Sequence, residues 1–324
     1  MCLDDASPEG APERARHFHF GDGSNRWNDK SVQFIVCENG ISGFVGDHSM
    51  LDAGTVLGLN KFVTKAIFDH QPDGTETQFN PDVDRIVKKL SITSSPEIET
   101  EVTRVVGEFR RNTANITHAF TTYTTCGGAL PRSHKCPPKS FFQLVVVLAS
   151  KYHFGYNSAL WETVSLGNFH KGRVEINQVV RPIVVRFCEV VDDSSVPMET
   201  KRNLLFEAVK SHTSSVMRAF RGRGMDRHLT SLRQMMRPGE DVPAFFKDPV
   251  YNGTRPRKIM SHCHETGMAE KGFVLRDPEA VWVHYEVEDE SVHFSVTGVG
   301  EAPLLFCGLL NKAAESLREI LVSV

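Results

Sequence analysis

The amino-acid sequence predicts a mixed α/β fold. Strand-like and helix-like segments alternate irregularly through its 324 residues, and a hairpin signal stands near each end. The first is the Asn39-Gly40 turn between two apolar runs; the second joins 281–287 to 291–296 around Glu288-Asp289-Glu290. With 40% hydrophobic and 24% charged residues the chain can bury a core, and its length fits one large domain or two ordinary ones.

Residues 1–24 carry Pro, Gly, Asp, Ser and Arg without periodicity, so a loose leader is expected there. Order should begin at Asn25-Arg26-Trp27. Residues 31–37 read as a strand and 41–45 as its return, after which the chain leaves the sheet at Gly46-Asp47-His48. From 55 to 70 the apolar residues Val56, Leu59, Phe62, Val63, Ala66 and Ile67 recur at helical spacing. A turn-rich stretch (71–82), a strand near 86–92 and a charged amphipathic helix over 96–111 follow. Residues 118–125 look like another strand. Pro137-Pro138 then opens a buried helix over 139–152, because proline at a helix start gives up no needed hydrogen bond. Helices over 198–220, 225–236 and 303–322, with a strand over 258–263, complete the pattern.

Charge and composition exclude several classes of function. Thirty-seven Lys and Arg against forty Asp and Glu leave a net charge of -3, which argues against a nucleic-acid or anionic-membrane binder. Seven cysteines without a CxxC pair indicate reduced thiols rather than a disulfide framework or a zinc knuckle. No apolar run approaches the roughly 20 residues of a membrane span. The acidic opening MCLDDASPEG is unlike a secretory or transit signal, so a cytoplasmic location is expected. His262, Cys263 and His264 are adjacent on a strand and alternate in direction, so no metal site is expected there.

The stretch 46–54 is the most informative. An imidazole just past a strand end, on a loop entering a helix, is exposed to substrate yet held by rigid elements. His48 followed by Asp52 is an H-x-x-x-D arrangement of the kind used by catalytic bases in CoA-dependent acyltransferases.

Residues 25–56, NRWNDKSVQFIVCENGISGFVGDHSMLDAGTV, resemble the block of the carnitine/choline acyltransferase family in which N-R-W-x-D-K, a strand pair and E-H-S-x-x-D-G follow in order. Three further blocks resemble the family in the same order. Trp161-Glu162-Thr163-Val164-Ser165-Leu166 with Phe169-His170-Lys171-Gly172-Arg173-Val174-Glu175 is one, GMDRHLTSL from Gly224 is the next, and 277–296 is the last.

The resemblance implies a CoA-dependent acyltransferase fold with chloramphenicol acetyltransferase-like lobes. On that reading 25–112 are a remnant of the first lobe carrying the catalytic His loop, and 113–324 are the second lobe with the acyl-CoA and acceptor sites. His48 is implied as general base, with Asp52 paired to Arg173 as a link between catalytic loop and second lobe. Trp161 and Thr163 fall on positions contacting the carboxylate end of carnitine, Val174 on a threonine of carnitine-using members, and Arg227 on the arginine that neutralises that carboxylate. Arg132 and Lys135 match basic positions that meet the phosphates of coenzyme A, whose thioester is a co-substrate, no bound cofactor being implied. Gly128 stands where another lysine is usual. Ser261-His262-Cys263 aligns with the family's Ser-Thr-Ser, whose last hydroxyl helps stabilise the oxyanion; Ser261 and Cys263 are therefore site candidates. The acyl-pocket wall falls between that triplet and Gly272, near Met268 and Ala269.

Several departures shape the expected function. Trp161 is bulkier than tyrosine and can only donate, Val174 lacks a hydroxyl, and a Cys263 thiol donates more weakly than a serine. An O-acyltransferase acting on a hydroxylated small molecule, carnitine-like or a secondary-metabolite alcohol, is expected. The alternative is a truncated, catalytically silent homologue that binds a partner or acyl-CoA. Family members are much longer than this chain, so the resemblance implies either a partner protein over the incomplete first lobe or a shortened relative.

Overall fold

The computed structural model describes residues 1–49, 51–69, 90–253, 258–263, 270–273 and 279–323. These divide into two compact units: 1–5 with 20–114, and 6–19 with 115–324.

The first unit holds a sheet of order β1-β2-β3, formed by Cys2–Asp4, Val32–Cys37 and Ser42–Gly46. β1 runs parallel to β2, and β3 returns antiparallel with Phe34 opposite Phe44. Gly40, at φ 79°, makes the left-handed turn that the Asn-Gly pair predicts. The strand alternates buried and half-buried residues, as one covered face requires. Helix α2 (Ala53–Asp69) follows the exit of β3, and α3 (Pro96–Thr113) starts with Ser95 accepting a hydrogen bond from Ile98 N.

The second unit is built on a six-stranded mixed sheet of order β4-β9-β8-β7-β5-β6. Its strands are β4 (Ile116–Tyr123), β5 (Leu160–Ser165), β6 (Val174–Gln178), β7 (Ile259–Cys263), β8 (Val281–Val287) and β9 (Val292–Val299). Paired residues share a face, so Ala119, Val296, Val283, Ser261, Glu162 and Asn177 form one row across the sheet. That face is covered by α5 (Pro138–Phe154), α7 (Met198–Phe220) and α11 (Ala302–Val322), through Leu144, Leu148, Leu205, Phe306, Leu310 and Leu317. The short α4 (Ala129–Ser133) precedes α5, α6 (Pro182–Val190) precedes α7, and α8 (Asp226–Gln234), α9 (Ala244–Lys247) and α10 (Pro249–Gly253) follow it.

Residues 1–24 depart from the loose leader expected of them. They hold β1 and helix α1 (Ala11–His19), which belong to different units. Neither is long enough to show a period; both are held by distant partners. The buried Asp4 carboxylate accepts from Arg26 Nη1 at 2.9 Å, while Arg16 Nη1 donates to the Ile116 carbonyl at 3.2 Å. The strand expected near 86–92 lies outside the described residues up to 89, and 90–92 have no regular structure; the turn-rich 71–82 and Met268 and Ala269 also lie outside them.

α1 is anchored to β4 by an imidazole pair. His19 Nδ1 lies 3.3 Å from His118 Nε2, and His118 Nδ1 lies 3.1 Å from Thr297 Oγ1. Burial, and then His118, lower the His19 pKa to about 3; burial, and then Arg16, lower that of His118 to about 4. Both rings are therefore neutral in the folded protein at neutral pH, and protonation favours the unfolded state. Stability should fall as pH drops from 6.5, the ordinary histidine value, toward about 4. Urea denaturation across this range should show the loss, and His118→Gln should flatten it.

Candidate active site

His48 sits where β3 ends. Asp47 N donates to the Ser31 carbonyl at 3.0 Å, and the Asp47 carboxylate accepts from Ser49 N at 2.9 Å and Ser49 Oγ at 2.7 Å. These hydrogen bonds lower the Asp47 pKa and fix the turn that carries the imidazole. Four residues on, the Asp52 carbonyl accepts from Thr55 N at 3.1 Å and opens α2. The two side chains meet: His48 Nδ1 stands 3.5 Å from Asp52 Oδ1, with the imidazole 45% exposed and the carboxylate 18%. His48 and Asp52 thus form a pair within the first unit.

The other candidates lie in the second unit. The segment 166–172 is a tight loop in which a Cβ at Gly172 would come within 2.0 Å of the Leu166 carbonyl oxygen, so only glycine fits. Arg173 follows, exposed, its carbonyl accepting from Leu166 N at 2.9 Å. Val174 begins β6, and its carbonyl accepts from Arg227 Nε at 3.2 Å. Glu175 accepts from Arg227 N at 3.1 Å through Oε1, which satisfies an amide at the start of α8. Gly224 lets that carboxylate approach, since a Cβ there would lie 2.2 Å from Glu175 Cγ. The structure therefore brings Val174 and Arg227 together and aims α8 through Glu175.

Trp161, Thr163 and His262 share the sheet face opposite the helical layer. Trp161 pairs with Met260 in register, and Thr163 Oγ1 hydrogen-bonds His262 Nδ1. Ser261 faces the other way: fully buried, its Oγ accepts from Gln143 Nε2 at 2.9 Å. Cys263, half-buried, shares that orientation and lies within electrostatic reach of Lys139 and Lys271. The triplet is thus split between faces, as the alternation along β7 demands.

Arg132 and Lys135 are both exposed, on α4 and on the turn before α5. Lys135 adopts φ 57°, and Arg132 ion-pairs with Asp289, which offsets part of its charge. At Gly128 a Cβ would lie 2.8 Å from the flexible end of Arg132 and 3.1 Å from Val287 Cγ1, while Gly128 N donates to the Glu288 carbonyl at 2.6 Å.

Sequence reasoning missed the polar cluster beneath β5. Glu162 is completely buried; its Oε2 meets His212 Nε2 at 2.8 Å and Asn177 Nδ2 at 3.2 Å, and its Oε1 meets Lys139 Nζ at 3.1 Å. His212 Nδ1 in turn lies 2.8 Å from Ser140 Oγ. Beside it, Tyr285 Oη donates to Gln143 Oε1 at 3.0 Å. The available signal was a glutamate between apolar strand neighbours, which needs partners wherever the strand is buried.

The chain belongs to the choline/carnitine O-acyltransferase family, whose model matches residues 1–304. It is 33% identical over 334 residues to the highly reducing polyketide synthase ltbA of Aspergillus luteorubrus, covering 99% of this chain and 10% of that protein. It is also 30% identical over 228 residues to human carnitine O-acetyltransferase, covering 70% of this chain and 36% of that enzyme. The chain thus spans about a tenth of the synthase and about a third of the acetyltransferase. Among solved structures it is similar to the wax ester synthase/diacylglycerol acyltransferase of Marinobacter aquaeolei VT8, at 10% identity and TM-score 0.45, over 97% of this chain and 78% of that one. Among the described residues no helix is long and apolar enough to cross a membrane, and no group of three or more His, Cys, Asp or Glu could hold a metal ion.

Burial alone would raise the Glu162 pKa, but the His212 and Lys139 charges and hydrogen bonds from His212 and Asn177 outweigh it and hold the carboxyl below its usual range. A depressed carboxyl pKa contributes stability above the unfolded value of 4.5, lost as pH falls below it. Glu162→Gln should cost about 3–5 kcal/mol at pH 7 because it leaves buried His212, and the partly exposed Lys139, without the carboxylate they pair with. Urea unfolding at pH 7 and pH 3 should show a smaller difference in Glu162→Gln than in the wild type.

Proposed function

We propose that this chain moves an acyl group from acyl-CoA, or from a thioester on a carrier, to a hydroxyl of a small molecule, with His48 as general base. The observation that carries this reading is the His48–Asp52 pair on a turn fixed at a strand end. Asp52 at 3.5 Å from Nδ1 favours the tautomer with its proton on Nδ1, leaving the Nε2 lone pair to take the acceptor proton. The acceptor oxygen attacks the thioester carbonyl as its proton passes to Nε2. Collapse of the tetrahedral intermediate breaks the C–S bond, and the proton moves from Nε2 to the departing thiolate. Cys263 is the donor nearest in kind to the family's oxyanion-stabilising hydroxyl, while Ser261 holds β7 against α5.

Arg227 would engage an anionic group on the acceptor, while Trp161 and Val174 alter the surface that receives carnitine in relatives. Together with the resemblance to highly reducing polyketide synthases, these substitutions favour a secondary-metabolite alcohol over carnitine. Arg132 and Lys135 would receive phosphates of coenzyme A. A cytoplasmic setting is part of the same reading. So is a protein partner on the first unit, supported by Phe62, Ile67 and Phe68 of α2, which are 73%, 65% and 69% exposed.

Thiol release from acetyl- and longer acyl-CoAs, assayed with a panel of alcohols, tests the proposal. His48→Ala should lower the rate by about 10²–10⁴-fold; equal, slow release by wild type and variant would overturn the enzymatic reading. The Arg132→Ala/Lys135→Ala double variant should raise KM for acyl-CoA with kcat little changed, as expected of residues that bind without entering the reaction.

A further inference from the structure

A recess of about 550 Å3 opens where β6 ends beside the last turns of α7 and the short helices α9 and α10. Three guanidinium groups line it: Arg181, at the N-cap of α6; Arg218, in the last turn of α7; and Arg223, in the turn leading to α8. The only side-chain bond among them runs from Arg181 Nε to the Gln178 carbonyl, at 3.4 Å, and among the described residues none of the three forms an ion pair. Burial, and then the Arg218 charge, push the Arg181 pKa down, so Arg181 and Arg218 face one another at a standing electrostatic cost. An anion placed between them would remove it.

Two carboxylates share the lining without neutralising the arginines. Asp248 Oδ1 is taken by the amides of Val250, at 2.7 Å, and Tyr251, at 3.4 Å. Asp226, largely buried, is the first residue of α8, where the helix dipole favours its charge. Three cations against two anions leave the recess with a single net positive charge. Apart from the polar Asn177, Gln178 and Ser215, the remaining lining is apolar and partly open: Met225 is 62% exposed, Phe245 is 51% exposed, and the Phe245 and Tyr251 rings lie 4.6 Å apart at 46°.

We propose that this recess is a binding site for a singly charged organic carboxylate with an apolar body. The planar carboxylate matches the guanidinium fork in geometry and the recess in charge, and the body lies against Phe245, Tyr251 and Met225. The volume falls within the roughly 300–1,000 Å3 usual for small-molecule sites. None of His48, Asp52, Trp161, Thr163, Arg173, Val174 or Arg227 lines it, and the inference does not depend on the acyl-transfer reading.

Calorimetric titration of the chain with 4-phenylbutyrate tests the site, with 4-phenylbutanol and inorganic phosphate as comparisons. The carboxylate should bind, and the alcohol and phosphate should each bind at least about tenfold more weakly. Arg181→Gln/Arg218→Gln should weaken phenylbutyrate at least about tenfold, and Arg218→Lys less than that. Phe245→Ser, at an exposed position, should weaken it while leaving the circular dichroism spectrum and Tm unchanged, which keeps the test open if the arginine variant misfolds. Absence of phenylbutyrate binding at millimolar concentration, equal binding of the alcohol or phosphate, or undiminished affinity in a folded arginine variant would each overturn the proposal.

Discussion

The Glu162 carboxylate is the constraint on which the second unit turns. A buried charge without partners costs several kcal/mol, so the chain must bring countercharges and hydrogen-bond donors to it from elsewhere. It does so from three elements: Lys139 from the first turn of α5, His212 from α7, and Asn177 from the neighbouring strand β6. Satisfying one residue thereby fixes the positions of two helices and the register of the edge strand. Ser140, next to Lys139, closes the arrangement by meeting the far nitrogen of His212. The same alternation that turns Glu162 inward turns Thr163 outward, so the buried network and the Thr163–His262 contact are consecutive positions on one strand.

Much of this architecture is readable in the amino-acid pattern because local chemistry determined it. The Asn39-Gly40 turn, the proline-opened α5, and the amphipathic α7 and α11 all carry signals within a few residues of themselves. The His48 turn belongs to this group, since Asp47, Ser49 and Asp52 are its neighbours in sequence. What escaped is mostly non-local, α6 with its opening Pro182 being an exception. β1 is three residues long and is held by Arg26, α1 depends on His118, and β5 and β6 lack clean alternation because both of their faces are largely covered. The Glu162 network draws on positions from 139 to 212, and nothing near Glu162 announces its partners.

Glycines mark where the backbone, rather than a side chain, sets the geometry. At Gly127 a Cβ would meet Ser291 N at 2.4 Å, so the segment before α4 packs directly on the β8–β9 turn. Four residues beyond Gly128, Arg132 reaches Asp289 of the same turn. The Asp289 carboxylate partly neutralises the basic cluster.

On the proposed reading, substitution at the acceptor surface can be understood in the same terms. Arg227 is positioned by main-chain contacts: Glu175 holds its amide, and the Val174 carbonyl takes its Nε. Replacing a threonine by Val174 leaves that carbonyl in place and removes only a hydroxyl from the surface. The arginine thus keeps its station while the group beside it loses a donor and acceptor. Trp161 acts similarly, since its carbonyl accepts from Ser261 Oγ at 3.4 Å whatever ring the residue carries. A framework anchored through carbonyls and a buried carboxylate can exchange the side chains that meet an acceptor without disturbing the strands that present them. On the proposed reading, this separation lets a family fold serve a different alcohol.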